Sequence, residues 1–232
     1  MRVLVAVKSC QKDRNQGCHA AIRETWGKAL PEWVDVRFFI GGEKPGNLEK
    51  DEIWFQVGDD YSQGLVHKVR AAFSWAIGQG YDFGFFCDTD TYIASPYWEQ
   101  SGFEGFDYCG YDVSRLNNTA MEFGKQYPTN HVNLPPPWTP VTLPTWYVFV
   151  GGGGYFLSRR ALDYLTNQQI GSIIPEDLWV GQVLGPLIER GEMRGGQLQK
   201  FQNQAFFHFG LGGRRPRPNP ADIIRQKHRE GK

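Results

Sequence analysis

The segment FGFFCDTDTY, residues 83–92, carries the pattern that decides the fold. Its first five residues are apolar apart from Gly84, which is typical of a strand buried in the centre of a sheet. Asp88 and Asp90 follow directly where that strand is predicted to end. In open parallel sheets, ligands bind beyond the carboxyl ends of the strands. The two carboxylates therefore occupy the position at which such a fold would bind a ligand.

The sequence around this segment alternates between strand and helix patterns. Apolar positions at helical spacing predict a helix over residues 64–77, and Val-rich runs predict buried strands over 2–7 and 34–40. Strands that alternate with helices indicate βαβ units, so we predict a single α/β domain with a mostly parallel central sheet flanked by helices. The other predicted elements are a helix over 15–26, strands over 53–57 and 106–111, and helices over 159–166 and 176–189.

Composition and charge argue against several classes of protein. The 232 residues carry a formal net charge of zero, whereas a nucleic-acid-binding protein needs a basic excess for its phosphate contacts. No apolar run is long enough for a transmembrane segment, and the run at residues 3–7 is too short for a signal peptide. We therefore expect a cytoplasmic protein, or one of the Golgi lumen only if the chain is trimmed from a longer one. None of the four cysteines forms a CxxC pair, which argues against a zinc site.

The segment Asp88-Thr89-Asp90 is compatible with three functions. Two carboxylates one residue apart can hold Mg²⁺ or Mn²⁺ with its phosphate ligands, as in nucleotide-sugar transfer. A Mg²⁺-dependent phosphatase of the HAD type also has an Asp-x-Asp motif after a strand, but Tyr92 stands where that motif needs Thr or Val. The third possibility is a sugar-binding module that has lost its catalytic activity.

Three other candidates each have a structural alternative. Gly151–Gly154 would let a backbone approach a ligand closely, or would let a strand bend against another backbone. Glu176 and Asp177 open a predicted helix, where carboxylates stabilise the helix dipole and where the ionised form of a base is also favoured. His208 lies in an apolar, strand-like run, in which a histidine is more often a core residue than a ligand.

Five segments resemble motifs of the β-1,3-galactosyltransferase/Fringe family, and they occur in the order found in that family. They are residues 21–27 (AIRETWG), 59–68 (DDYSQGLVHK), 88–90 (DTD), 152–158 (GGGYFLS) and 176–181 (EDLWVG). The shared order is more specific than any single motif. The chain departs from the family pattern at Thr89, where the family has an acidic residue, and at residues 63–64, which replace an asparagine.

The resemblance implies a GT-A fold, a UDP-sugar donor, Mn²⁺ or Mg²⁺ as cofactor, and inversion at the anomeric carbon. It implies transfer of a hexose or N-acetylhexosamine to a hydroxyl of a glycan or glycoconjugate in a β-linkage, with β-1,3 expected. Asp177 would be the catalytic base, with Glu176 as the second choice, and the metal would be held by Asp90, Asp88 and His208. The remaining implied contacts are donor contacts from Arg23, Lys68, Asp88, Thr89 and Asp90, and substrate contacts from Gly152, Gly153, Gly154 and Tyr155.

We assign residues 1–213 to one glycosyltransferase domain. Its nucleotide-binding half would be residues 1–92 and its acceptor-binding half residues 93–213. The polar, Pro-rich passage 112–145 is interpreted as a loop on the acceptor side. The basic tail, residues 214–232, is interpreted as solvated.

Overall fold

A central sheet of seven strands organises the fold. The structure is a computed structural model, and it describes residues 1–60, 64–94, 98–99, 101–110, 113–115, 131–132, 141–142, 147–149, 151–171, 175–198, 206–208 and 219–230. The strands of these residues are β1 (Val3–Lys8), β2 (Val34–Ile40), β3 (Glu52–Trp54), β4 (Phe83–Asp88), β5 (Thr91–Ile93), β6 (Tyr108–Gly110), β7 (Val113–Arg115), β8 (His131–Val132), β9 (Val141–Thr142), β10 (Tyr147–Phe149), β11 (Tyr155–Ser158), β12 (Gly195–Gln197) and β13 (Phe206–His208).

The order of strands in the central sheet is β3-β2-β1-β4-β11-β6-β12. Neighbouring strands run parallel, except that β11 is antiparallel to both β4 and β6. The prediction of an α/β fold with a mostly parallel sheet is therefore confirmed. Because β1 lies between β2 and β4, the carboxyl ends of β1 and β4 emerge side by side, with Lys8 and Asp88 as register partners.

Helices cover both faces of the sheet. Successive side chains of β1 point to opposite faces: Leu4 and Ala6 join one hydrophobic cluster, and Val3, Val5 and Val7 join the other. Both faces are buried, which explains why β1 is apolar along its length rather than alternating. The helices are α1 (Gln11–Asn15), α2 (Cys18–Glu24), α3 (Gly64–Gly78), α4 (Arg159–Thr166), α5 (Glu176–Glu189) and α6 (Pro220–Glu230). The first cluster contains residues of α3, α4 and α5, and the second contains residues of α2 and α6.

Two sequence predictions about helices need correction. The helix predicted over 15–26 is α2, which covers only Cys18–Glu24, because the chain turns at Gly17 with a φ of 80°, a left-handed conformation that favours glycine. The interpretation of residues 214–232 as a solvated tail fails for α6. Ala221 and Ile224 are fully buried against the core, and the Arg225 guanidinium donates to a Glu24 carboxylate oxygen of α2 at 3.0 Å.

The polar passage 112–145 contains β7, β8 and β9. Strand β7 pairs with β10, and β8 pairs with β9, in two separate two-stranded sheets. The rest of the passage lies outside the described residues, so its interpretation as an acceptor-side loop stays a prediction. No helix among the described residues is both long and apolar enough to cross a lipid bilayer.

A buried network fixes the chain that follows β1. The Glu52 side chain is 2% exposed, and its carboxylate accepts from His19 Nδ1 at 2.7 Å and from Arg14 Nε at 3.0 Å. The Nε2 atom of the same imidazole lies 2.6 Å from Ser9 Oγ. Burial lowers the pKa of His19, so the ring is neutral, with Nδ1–H donating to Glu52 and Nε2 accepting from the Ser9 hydroxyl. The network therefore ties the segment after β1 to the outer strand β3.

The stability that Glu52 provides should depend on pH. Burial alone would raise the pKa of Glu52, but hydrogen bonds from His19, a backbone amide and Arg14 outweigh it and lower the pKa from 4.5 to about 2. A lowered carboxylate pKa stabilises the fold above pH 4.5, and this contribution is lost as the pH falls towards 2. We expect Glu52→Gln to reduce the free energy of unfolding by roughly 3 kcal/mol at pH 7.

Urea unfolding at pH 7 and at pH 3 measures this dependence. The difference between wild type and Glu52→Gln should shrink at pH 3, because Glu52 is then protonated in the unfolded chain (pKa 4.5) but still mostly ionised in the folded one (pKa about 2). Glu32→Gln, which makes the same change at an exposed position, is the matched control and should alter stability by less than about 0.5 kcal/mol. An equal difference at both pH values would contradict the role assigned to the Glu52 charge.

Candidate functional site

The carboxyl ends of β1 and β4 form the floor of the candidate site. Lys8 Nζ lies 3.1 Å from Asp88 Oδ1, and the Lys8 side chain is 3% exposed, compared with 30% for Asp88. The same ammonium donates to a Glu176 carboxylate oxygen and, at 2.9 Å, to the carbonyl oxygen of Gly151. One buried cation therefore joins the acidic turn after β4 to the acidic pair at the start of α5.

Helix α5 brings the acidic pair to this edge because its apolar residues anchor it to the sheet. Leu178, Trp179 and Val180 are 4%, 3% and 0% exposed, and all three belong to the hydrophobic cluster on that face. Glu176 is also buried, at 2% exposure, and turns inward to Lys8. Anchoring through the residues that follow the pair fixes the helix N-terminus against the carboxyl ends of the strands.

Asp177 is held differently from its neighbour. Its side chain is half-buried: Oδ2 accepts from the Gly151 backbone amide at 3.0 Å, and Oδ1 accepts from the Leu178 amide at 2.9 Å. Glu176 and Asp177 thus face different partners. Glu176 is used in an ion pair, whereas Asp177 is held by backbone donors and keeps lone pairs for a further partner.

The acidic pair is less readily ionised than its place at a helix N-terminus suggests. Burial raises the pKa of Glu176 to about 7, with Lys8 opposing the rise and Asp177 adding to it. Burial likewise raises the pKa of Asp177, although the hydrogen bond from the Gly151 amide opposes this. The backbone amide of Leu178, in the first turn of the helix, does favour the ionised form of Asp177, as expected for a helix terminus, but the loss of solvation outweighs it.

The pKa of Lys8 is raised as well, but for an amine a raised pKa favours the charged form. Burial would lower its pKa, but Asp88, Glu176 and Asp177 together hold the pKa above the usual range of a lysine. Each carboxylate, in contrast, shares one cation with two other carboxylates. The ammonium is therefore charged at neutral pH.

The glycine run acts as a narrow turn against this ion pair. A Cβ added at Gly151 would lie 2.5 Å from Glu176 Oε1 and 3.0 Å from Lys8 Nζ. Gly154 has a φ of 97°, and a Cβ there would overlap the Phe85 ring. Packing thus explains two of the four glycines.

The other predicted substrate contacts lie in or beside this turn. The carbonyl oxygen of Gly152 accepts from Thr91 Oγ1 at 2.6 Å, which binds the turn to the start of β5. Gly153 is part of the same turn. Tyr155 begins β11 and is fully buried, with the Lys8 ammonium 5.9 Å from its ring centre. A contact between these residues and a substrate stays a prediction.

The predicted metal ligands lie along β4, β5 and β13. Thr89 and Asp90 form the turn between β4 and β5, and Thr89 Oγ1 donates to Asp13 of α1 at 2.5 Å. The prediction of a strand around His208 is confirmed, since β13 pairs with β5 and makes His208 the register partner of Thr91. The backbone of His208 therefore lies beside the acidic turn. Metal binding by these residues stays a prediction.

Two residues predicted to contact the donor have structural partners. Arg23 Nη2 lies 2.6 Å from Asp51 Oδ1, so this guanidinium joins α2 to the start of β3. Lys68 is 3% exposed, and its ammonium donates to the Ser9 carbonyl oxygen and, at 2.9 Å, to Asp59 Oδ1. Lys68 thus supports the chain that follows β1, and Arg23 supports the start of β3. Direct contact with a nucleotide stays a prediction for each.

Lys8 was not predicted as a site residue. One feature of the sequence pointed to it: Lys8 is the charged residue that ends the apolar run of β1, just as Asp88 ends that of β4. Its role could not be seen, because its partners Asp88 and Glu176 lie 80 and 168 residues further along the chain.

This chain is similar to several solved structures, and three of them are described in turn. One, from Bacillus anthracis, is described as a glucose-1-phosphate thymidylyltransferase in complex with sucrose (TM-score 0.46, 11% identity, 99% of this chain and 96% of that chain covered). Another is the galactosyltransferase LgtC in complex with donor and acceptor sugar analogues, with a TM-score of 0.41 and 12% identity. The third is an active-site mutant of LgtC, with a TM-score of 0.39 and 12% identity. In both cases 97% of this chain and 83% of that chain are covered.

No protein-family model and no curated protein sequence matches the chain. All three TM-scores lie below 0.5.

We expect Gly151→Ala to destabilise the protein by disturbing the buried ion pair. The added methyl group would press on both Glu176 and Lys8, and overpacking of this kind costs about 1–3 kcal/mol. Gly105→Ala is the matched control, because a Cβ there meets no atom within 4 Å. Thermal unfolding should show a clearly lower Tm for Gly151→Ala than for the control. Equal Tm values would contradict the close packing of Gly151 against the pair.

Proposed function

We propose that this protein is a metal-dependent, inverting glycosyltransferase of the GT-A kind with a UDP-sugar as donor. The observation that carries the proposal is the meeting of two acidic groups at one edge of the sheet. The turn after Asp88 and the pair beginning at Glu176 are both held by Lys8. An inverting transferase needs a cation site for the diphosphate and a carboxylate base for the acceptor, and these two groups match the two requirements.

The charge at this edge supports a requirement for a bound cation. Lys8 is surrounded by three carboxylates, those of Asp88, Glu176 and Asp177, and Asp90 follows in the adjoining turn. With the carboxylates ionised, the group carries net negative charge, which would repel a nucleotide diphosphate. A divalent cation bound with the nucleotide would reverse this repulsion.

The proposed ligands are carboxylates and a histidine, which are donor types that Mn²⁺ accepts. Asp88 and Asp90 offer carboxylate oxygens, and Asp88 is exposed enough for one oxygen to reach a ligand while the other bonds Lys8. His208, as register partner of Thr91, would add a nitrogen donor, which favours Mn²⁺ over Mg²⁺. When bound, the cation would stabilise the charge that develops on the departing diphosphate.

Asp177 is the proposed base. The acceptor hydroxyl would attack the anomeric carbon of the donor sugar from the face opposite the diphosphate, while the Asp177 carboxylate takes the hydroxyl proton. Burial raises the pKa of Asp177, which makes the carboxylate a better proton acceptor. Glu176 is the weaker candidate, because it is 2% exposed and its carboxylate is used by Lys8.

The resemblance to the β-1,3-galactosyltransferase/Fringe family supports the finer assignment. On that basis the donor sugar is a hexose or an N-acetylhexosamine, and the acceptor is a hydroxyl of a glycan or glycoconjugate. The product carries a β-linkage, for which β-1,3 is the first to test. A panel of UDP-sugars with Mn²⁺ and short glycan acceptors, read by release of UDP, tests the proposed reaction.

The metal assignment predicts a graded loss of UDP binding. Asp90→Ala should weaken Mn²⁺-dependent UDP binding by about 100-fold or more and leave the fold intact, because a carboxylate in the turn after β4 would serve the ligand rather than the core. His208→Ala should weaken it less, by about 10-fold, because other ligands remain. Calorimetric titration of UDP in the presence of Mn²⁺ measures both changes.

Asp163→Ala removes an exposed aspartate of α4 and serves as the control, with wild-type binding expected. If Asp90→Ala binds UDP and Mn²⁺ as the control does, the metal site is misassigned.

The base assignment predicts that substitutions of Asp177 and of Glu176 have different effects on kcat. Asp177→Asn keeps the size of the side chain and removes its basicity, so kcat should fall by roughly 10²-fold or more. The affinity for UDP should barely change, because the base acts on the acceptor. Glu176→Gln should have a milder effect on kcat and should lower the Tm, because it removes the charge that faces Lys8. The UDP-release assay and thermal unfolding measure these effects.

The reverse ranking of the two variants would make Glu176 the base. Wild-type turnover in both would rule out this pair as the source of the base.

A further inference from the structure

We propose that Lys8 is a positioning residue for the transfer reaction: through Gly151, its buried ammonium holds Asp177 in the orientation in which that carboxylate accepts the acceptor proton. The inference rests on the proposed transferase function. It assigns a reaction role to a residue at the end of the central strand β1, outside the segments that carry the family resemblance.

The three contacts of the ammonium fix its orientation. The Lys8 ammonium donates to Glu176 and, at 2.9 Å, to the Gly151 carbonyl oxygen, and it forms an ion pair with Asp88 Oδ1 at 3.1 Å. These acceptors belong to three separate segments: the start of α5, the end of β4 and the glycine turn. With its side chain 3% exposed, Lys8 has little water to replace a lost partner.

Gly151 carries the effect of Lys8 to the base. Its carbonyl oxygen accepts from Lys8, and its amide donates to Asp177 Oδ2 at 3.0 Å. A Cβ at this residue would collide with Glu176, so Gly151 is confined between the ion pair and Asp177. Loss of the ammonium would free Gly151, and the Asp177 carboxylate would lose one of its two fixed donors, keeping only the Leu178 amide.

A lysine that served only as counter-charge for Glu176 would need only that contact. The contacts with Asp88 and Gly151 reach the two groups to which the proposed reaction assigns the cation and the base. The two roles make different predictions for a protein that lacks both members of the pair. Removing both leaves no unpaired charge from the Lys8–Glu176 pair, so stability should recover whichever role is correct. Turnover should recover only if the role is counter-charge alone.

The test compares wild type, Lys8→Met, Glu176→Gln and the double variant Lys8→Met/Glu176→Gln. Methionine approximates the length of lysine without its charge, and the double variant covers the case in which Lys8→Met alone does not fold. Thermal unfolding gives the Tm, and the UDP-release assay with saturating Mn²⁺ gives kcat and KM separately.

We expect the double variant to have a higher Tm than Lys8→Met. Its kcat should remain on the order of 10²-fold below wild type, as for a displaced catalytic group, with the donor KM little changed. Glu176→Gln, which retains Lys8, should lower kcat less than either variant that lacks Lys8.

Recovery of kcat together with Tm in the double variant, or wild-type kcat in Lys8→Met, would overturn the role of Lys8 and leave the proposed function intact. Absence of sugar transfer by the wild type across the UDP-sugar panel would instead overturn the proposed function, and the role of Lys8 in transfer with it.

Discussion

The buried ammonium of Lys8 is the interaction on which the arrangement of the site depends. Lys8 ends a strand with parallel neighbours on both sides, so its side chain emerges in the middle of the carboxyl edge of the sheet. A buried charge is tolerated only when it is paired and hydrogen-bonded, so Asp88, Glu176 and the Gly151 carbonyl must meet there for the fold to be stable. The stability of the core and the geometry of the site therefore have a common origin.

Local sequence patterns are enough to predict most of the sheet but not all of the helices. The strand over 34–40 is found as predicted, because a buried parallel strand is apolar at most positions. The break within 15–26 was missed because the left-handed conformation of Gly17 does not interrupt the helical pattern. Helix α6 was missed because its two fully buried residues, Ala221 and Ile224, are a weak signal among basic neighbours.

The site residues that lie at the end of a strand or the start of a helix could be predicted from the sequence. Asp88 ends β4 and the acidic pair begins α5, so their place at the sheet edge could be expected from sequence alone. The pairing of Lys8 and the direction of the pKa shift of Asp177 could not, because both depend on contacts between distant segments and on burial. The dipole of a helix is visible in a sequence, but the depth at which its first turn is buried is not.

We propose that this edge of the sheet binds a nucleotide diphosphate together with a divalent cation. The most direct measurement is a calorimetric titration of the wild-type protein with UDP, once in Mn²⁺ and once in excess chelator. We predict saturable binding of UDP in Mn²⁺ and its loss in chelator, because the uncompensated carboxylates around Lys8 would then repel the diphosphate. Equal affinity under both conditions, or no binding in Mn²⁺, would contradict the account.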